Sequence, residues 1–286
     1  MPEGDTIHRV RAALAPHLVG APLVALHVDR VPWPEARTLT VTACEAVGKH
    51  LLLTLAREGR DVHVLRSHLG MKGTWHSYAL GEPWHRHPDR ARLILATAAR
   101  VFVCFDAKEV ALTRATAQQP GQVARVGPDL LAAEPELDAV VARARAAGGP
   151  SSAIADLLLT QSVASGIGNV YKSEVLFMAG VDPWRPCDAL PDRALRELYA
   201  LAAAMLADNT ARGGWRITTD ARACSHAPLA RQTHLTPPRG LPRHWVYRRA
   251  GRPCLVCATP IRSRLQGPMA RMTYWCPQCQ AATTDH

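Results

Sequence analysis

The apolar positions of this chain change period twice. Ile7, Val10, Leu14 and Leu18 follow one another at intervals of three and four, the spacing that gathers side chains on one face of a helix. Asp5 stands where a carboxylate can cap the first turn, so the pattern predicts one amphipathic helix over residues 5–18. From about residue 22 to 116 the apolar residues fall instead into short runs, among them Leu39 to Thr42, Leu51 to Leu53, Ala91 to Ala96 and Val101 to Phe105. Glycine, proline and charged turns separate them, which predicts strands packed as a β-sandwich or open barrel.

After Gly127-Pro128 the period becomes helical, with alanine and leucine dominating residues 129–210 and a boundary expected at 120–128. Between 211 and 242, Gly213, Gly214, Pro228, Pro237, Pro238 and Gly240 punctuate a stretch with no apolar period that also carries His226 and His234. Such a stretch reads as a mobile loop. A cysteine-rich module begins near His244, and no internal repeat is visible. The prediction is an α+β multidomain chain divided into 1–122, 123–212, a loop over 213–243, and 244–286.

Composition narrows the class. Hydrophobic residues are 48% of the 286 and charged residues 20%, and no apolar run approaches the length of a membrane span. Met1-Pro2-Glu3-Gly4-Asp5 is acidic and turn-forming, unlike a secretory signal, so a cytoplasmic protein is expected. The formal charge of +10 suits a polyanionic partner. Of the 34 basic residues, however, only Lys49, Lys72, Lys108 and Lys172 are lysines, an arginine bias that genome base composition also produces.

Three constellations carry candidate chemistry. Cys254-X2-Cys257 and Cys276-X2-Cys279, with 18 residues between the pairs, have the spacing of two knuckles that put four thiolates around one zinc ion. A four-thiolate site is closed to substrate, so the zinc is expected to be structural. Arg271, on the hairpin between the knuckles, is the candidate to grip a phosphate. The scattered Cys44, Cys104, Cys187 and Cys224 read as small buried hydrophobes in a reducing compartment. Next, Gln161 to Phe177 reads as two helices joined by a glycine turn, placing Asn169 at a helix N-terminus where an anion is favoured. An ordinary capped helix pair would look the same. Last, Pro2 lies behind a removable methionine, and a free N-terminal amine of pKa roughly 8 is partly an uncharged nucleophile at neutral pH.

Taken together, Pro2-Glu3-Gly4, Gly48-Lys49-His50-Leu51, Ser67-His68-Leu69-Gly70-Met71, Gly166-Ile167-Gly168-Asn169-Val170-Tyr171 and Tyr274-Trp275-Cys276-Pro277-Gln278-Cys279-Gln280 resemble the formamidopyrimidine-DNA glycosylase/endonuclease VIII family. They keep the family's order across nearly the whole chain. The glycine after Pro-Glu and the Tyr-Trp before the third cysteine are similar to the endonuclease VIII branch, especially its actinobacterial members. The resemblance implies an N-terminal β-sandwich with flanking helices, a helix-two-turn-helix DNA-binding domain and a C-terminal zinc ribbon.

It also implies a bifunctional DNA glycosylase and abasic-site lyase of base excision repair, a monomer that removes oxidised bases, pyrimidines first, from damaged DNA. Duplex and single-stranded substrates both stay open. Pro2 would attack the sugar C1′ to form an iminium, Glu3 would act as general acid on the opening deoxyribose, and Lys49 would assist and contact phosphate. Elimination of the 3′ and then the 5′ phosphate would follow. His68, Asn169 and Arg271 would hold the backbone around the extruded nucleotide, with Met71 filling the gap in the stack.

Two departures qualify the likeness. Where many relatives carry an arginine and an aromatic that fill the rest of the gap, this chain has Asp106-Ala107-Lys108-Glu109-Val110, so weak discrimination between opposing bases is expected. Thr6 stands where relatives often have glutamate. A non-catalytic zinc-ribbon DNA-binding protein would also explain the charge and the cysteines, but it gives no reason for Pro2-Glu3.

Overall fold

The computed structural model describes residues 2–115, 125–149, 152–211 and 242–281. The expected loop at 213–243, apart from its last two residues, lies outside these ranges, as does Cys224. The chain divides into two compact units, Met1–Arg125 and Val126–His286.

In the first unit α1 (Gly4–Leu18) leads into two antiparallel sheets. One has the order β2-β1-β7-β8-β6, from strands β1 (Ala25–Val28), β2 (Val31–Pro32), β6 (Thr74–Ala79), β7 (Ala91–Ala96) and β8 (Arg100–Phe105). The other has the order β3-β4-β5-β9, from β3 (Thr40–Val47), β4 (His50–Arg57), β5 (Arg60–His68) and β9 (Glu109–Arg114). Strand alternation sends Leu51, Leu53, Leu55 and Leu65 of the second sheet and Leu93, Leu95, Phe102 and Cys104 of the first into one core, closed by Ile7, Leu14 and Leu18 of α1. This is the expected sandwich. The outer face of the larger sheet is covered by a smaller cluster in which Trp84 packs on Tyr78 and Phe105.

α1 begins one residue earlier than its apolar period indicates, and its cap is Glu3 rather than Asp5. The Glu3 carboxylate takes the Thr6 N–H, and the Thr6 hydroxyl takes the Glu3 N–H at 3.4 Å. This capping box satisfies donors that a helix start would otherwise leave open. Asp5 is occupied by Arg9, one turn on at 2.7 Å.

The second unit is helical, with α2 (Leu137–Ala147), α3 (Ile154–Leu158), α4 (Asn169–Met178) and α5 (Asp192–Ala211), and ends in the hairpin β10 (Arg262–Gln266) and β11 (Arg271–Trp275). All ten residues of α4 are buried, so its polar side chains must find partners inside the protein. Glu174 accepts the backbone N–H groups of Trp245, Val246 and Tyr247 at 2.8, 3.0 and 2.8 Å. Lys172 Nζ donates to Thr273 Oγ1 at 2.7 Å, and that hydroxyl donates on to Gln266 Oε1 at 2.7 Å. Asn169 Nδ2 donates to Met272 O at 2.8 Å. The ribbon is therefore bonded to α4 along the helix, and Trp245, Val246, Ile261 and Cys276 share one apolar core with α2 to α5.

Glu174→Gln should show what this junction contributes. An amide must turn one NH2 toward backbone donors, leaving a buried N–H without an acceptor, so a loss of about 2–4 kcal/mol is expected in urea unfolding followed by intrinsic fluorescence.

Candidate functional site

Two contacts set the direction of α1 across the smaller sheet. Gly20 N–H reaches Val41 O at 2.8 Å, and Arg11 Nε reaches Cys44 O at 3.1 Å. Moving back along the helix from 20 to 11 thus moves forward along β3. The remaining eight residues to Glu3, about 12 Å at 1.5 Å each, carry the start of the helix to the Gly48-Lys49 turn that joins β3 to β4. His50 begins β4, His68 ends β5 and Glu109 begins β9, so these residues share the same end of the sheet. Glu3 there is 2% exposed, and Pro2 precedes it at partial exposure.

Register aligns His50 with His68 and His68 with Glu109 in one row across three strands. Residues 51, 53 and 65 point into the sandwich, so this row and Arg66 lie on the outer face. The imidazoles of His50 and His68 are 4.8 Å apart. Arg66 Nη1 lies 3.3 Å from His50 Nδ1 and 3.2 Å from Glu109 Oε2. Burial, followed by the neighbouring His68 and Arg66, brings His50 down to about 4. Burial also lowers His68; Glu109 pulls it the other way, while Lys108, Lys49 and Arg66 add to the lowering. The Glu109 carboxyl is held below its ordinary range, with Arg66 overcoming the opposing effect of burial.

The Leu69-to-Gly73 turn follows β5, with Met71 exposed at 65%. Gly70 has φ +63, and a Cβ there would meet Lys108 Cβ at 2.7 Å, so the two turns touch and this position requires glycine. Across from it Asp106, at φ 52, is bound by Arg86 at 2.7 Å and by Arg90 at 2.9 and 2.6 Å. The segment that departs from the family pattern is thus pinned at Asp106, packed at Lys108 and ion-paired at Glu109.

In the second unit Asn169 opens α4 behind the Gly166 turn (φ +108), which Gln161 braces by donating to Ile167 O at 2.9 Å. The Asn169 amide nitrogen goes to Met272 O, while its Oδ1 is buried with no partner among the described residues. Arg271 is the next residue back, at the start of β11 and opposite Gln266. The sulfurs of Cys254, Cys257, Cys276 and Cys279 lie within 4.8 Å of one another. Four sulfurs so close, from two knuckles, form a donor set that can hold a metal ion tetrahedrally.

Lys49, His68 and Met71 lie at one end of a sheet, toward which the rise of α1 carries Glu3, and in the other unit Asn169 is bonded to Met272, the residue after Arg271. Sequence reasoning gave His50 and Arg66 no role. His50 lay in a quoted motif, and Arg66 shares His68's face two residues earlier, a period-2 signal that gains meaning only once register is known.

Residues 1–113 match the family described as formamidopyrimidine-DNA glycosylase N-terminal domain, and residues 126–221 match the formamidopyrimidine-DNA glycosylase H2TH domain. The chain is 39% identical to a protein named probable endonuclease 8 2 of Streptomyces coelicolor, over 98% of this chain and 94% of that one. It is 35% identical to a protein of Mycolicibacterium smegmatis named DNA-(apurinic or apyrimidinic site) lyase Nei2, over 99% of this chain and 100% of the other. Among solved structures, MutM in complex with DNA containing carbocyclic 8-oxo-G superposes with a TM-score of 0.75 at 21% identity, covering 98% of this chain and 100% of that one. A Lactococcus lactis formamidopyrimidine-DNA glycosylase bound to abasic-site DNA gives 0.74, at the same identity and coverage. The chain belongs to the formamidopyrimidine-DNA glycosylase/endonuclease VIII family.

The half-buried His50 makes stability depend on pH in a definite direction. Its folded value, about 4, lies below the ordinary 6.5. Between these the unfolded chain binds the extra proton, so the contribution is complete above pH 6.5 and is lost as pH falls toward 4. His50→Phe should flatten the decline in unfolding free energy, measured by urea titration, over that window by up to about 3 kcal/mol. An unchanged pH slope would show that the ring titrates freely.

Proposed function

We propose that this protein is a bifunctional DNA glycosylase and abasic-site lyase that removes oxidised bases, pyrimidines in preference, from damaged duplex DNA as a monomer. The course of α1 supports it above all: its contacts with β3 and its rise carry Pro2 and the buried Glu3 toward the sheet end of Lys49, His68 and Met71. Residues 1–122 then act as the catalytic domain, 123–212 as the helix-two-turn-helix DNA-binding domain and 244–286 as the zinc ribbon.

In this reading loss of Met1 leaves Pro2 as a secondary amine just before a helix start, where the dipole disfavours its protonated form. Its nitrogen attacks C1′ of the damaged nucleotide, and the C1′–base bond breaks with the electron pair leaving on the base. The proton that the Pro2 nitrogen carries passes to the departing base, and Glu3 delivers a proton to the ring oxygen as the C1′–O4′ bond breaks, giving an iminium between Pro2 and C1′. The iminium acidifies the C2′ proton, so the 3′ phosphate is eliminated and then, by the same conjugation, the 5′ phosphate. Base removal and strand cleavage thus share one intermediate. Lysine, at pKa roughly 10.4, is less suited than an N-terminal amine of about 8, which leaves Lys49 to phosphate and proton handling.

His68 and Arg271 hold backbone phosphates, and Met71, already exposed, fills the gap left by the extruded nucleotide. Asn169 contributes by fixing the Met272 carbonyl, and with it the adjacent Arg271, at the first turn of α4. Cys254, Cys257, Cys276 and Cys279 hold one Zn2+, which cross-links the two knuckles and takes no part at the sugar.

Borohydride added during reaction with an oligonucleotide containing an oxidised pyrimidine should trap a protein–DNA adduct through Pro2. An uncleaved N-terminal extension should abolish trapping and strand cleavage while leaving binding to an abasic analogue within about threefold, under 0.7 kcal/mol. Glu3→Gln should suppress base removal more than cleavage at a preformed abasic site. Mass-spectrometric mapping of the adduct to Lys49 would overturn the mechanism.

Removing the metal with a chelator, or Cys254→Ser, should loosen the ribbon and weaken DNA binding at least tenfold, about 1.4 kcal/mol. Normal binding by metal-free protein would contradict a structural zinc.

A further inference from the structure

The row on the outer face of the four-stranded sheet holds more chemistry than the proposed reaction uses. A guanidinium can only donate, so the Arg66 contact at 3.3 Å makes His50 Nδ1 an acceptor and leaves the proton of the neutral ring on Nε2. The same Arg66 nitrogen has a second hydrogen, directed to Glu109 Oε2 at 3.2 Å. Glu109 is thereby committed to Arg66, although its register partner is His68.

His68 is constrained from the other side. Its Nδ1 is buried with no partner among the described residues. A hydrogen on that nitrogen, whether in the imidazolium or in the neutral Nδ1–H tautomer, would be a buried donor with nothing to bond, which costs more than an unfilled lone pair. The ring is therefore neutral and carries its hydrogen on Nε2. The charged groups around it are Lys49 on the β3–β4 turn, Arg66 on β5, and Lys108 and Glu109 at the start of β9, with the His50 ring tilted beside it at 4.8 Å. Of these only Glu109 favours an imidazolium, and its carboxylate is drawn to Arg66 at 3.2 Å, while burial and the three cations oppose the charge.

We propose that His50, Arg66 and Glu109 are positioning residues for His68, which meets the DNA backbone as an uncharged Nε2–H donor while Lys49 supplies the positive charge. The proposal rests on the reading of His68 as a DNA contact. A neutral donor adds a hydrogen bond without releasing a counterion, so His68 strengthens binding without steepening its salt dependence. It also leaves the sheet end without a histidine charge that would vary across neutral pH.

The test uses full-length, metal-loaded protein. Long-range 1H–15N spectra of the histidine side chains should show His68 as the neutral Nε2–H tautomer at pH 6.5, the ordinary midpoint for histidine. Arg66→Met, which frees Glu109, should move the His68 midpoint up by about one unit, and Arg66→Met with Glu109→Gln should return it. Glu109→Gln alone should move it down, a reading that leaves the Arg66 side chain intact.

Binding to a duplex carrying a tetrahydrofuran abasic analogue is then measured against salt near neutral pH. His68→Ala should weaken it about fivefold with the slope of log Kd on log salt unchanged, whereas Lys49→Ala should reduce the slope by about 0.9. A His68 that is charged at pH 6.5 in the unmodified protein, or a slope change matching that of Lys49→Ala, would overturn the proposal. If His68→Ala leaves DNA binding unchanged while the tautomer and its dependence on Arg66 stand, the assignment of His68 to DNA is what fails.

Discussion

A carboxylate taken out of water must be met by donors, and the second unit is organised around one that is. Glu174 sits in the middle of a helix with no exposed residue, and three consecutive backbone amides close on it. Leaving that charge unmatched would cost several kcal/mol, so wherever α4 packs, residues 245–247 must follow. Lys172 and Asn169 extend the same demand to β11. The helix that supplies the candidate anion site and the hairpin that supplies Arg271 are consequently placed by one set of buried polar contacts, independently of the cysteine cluster. The cysteine cluster brings the two knuckles of the ribbon together, and α4 fixes where the ribbon stands.

The first unit solves a different problem, which is bringing a chain terminus to a defined place. Terminal residues are ordinarily poorly held. Here Glu3 is anchored by its capping box with Thr6, and α1 is tied to β3 by the Arg11 and Gly20 contacts. The helix is thus laid along the sheet from two fixed points, and its rise carries its first residues toward the end where β4 and β9 begin and β5 finishes. Thr6 suits this arrangement, since its hydroxyl completes the cap.

Much of this was legible in the chain itself. Cysteine spacing gave the ribbon because two tight knuckles leave few alternatives. The strand runs at 91–96 and 101–105 appear as β7 and β8 because alternation survives where one face is buried. The cap of α1 was displaced to Glu3 because Asp5 has Arg9 one turn away, and pairing within a helix competes with capping in a way composition does not rank. The His50–Arg66–Glu109 row was hidden for a geometric reason: its members are far apart in sequence and become neighbours only at a particular register. Glu174 and Lys172 were hidden because an apolar helix draws the eye to Val175, Leu176 and Phe177. Pro2 and Glu3 acquired roles through the family likeness, since neither residue type is unusual near a start.

The contact between Glu174 and residues 245–247 is asymmetric in what it asks of evolution. One partner is a specific side chain, but the other is bare backbone, which every amino acid except proline supplies equally. Comparison of related chains should therefore find the junction as a fixed acid on the helix, facing three positions whose side chains answer to the surrounding core rather than to the acid and where proline alone is forbidden by it. Two surfaces can stay locked together over long divergence in this way, with the record of the lock kept on only one of them.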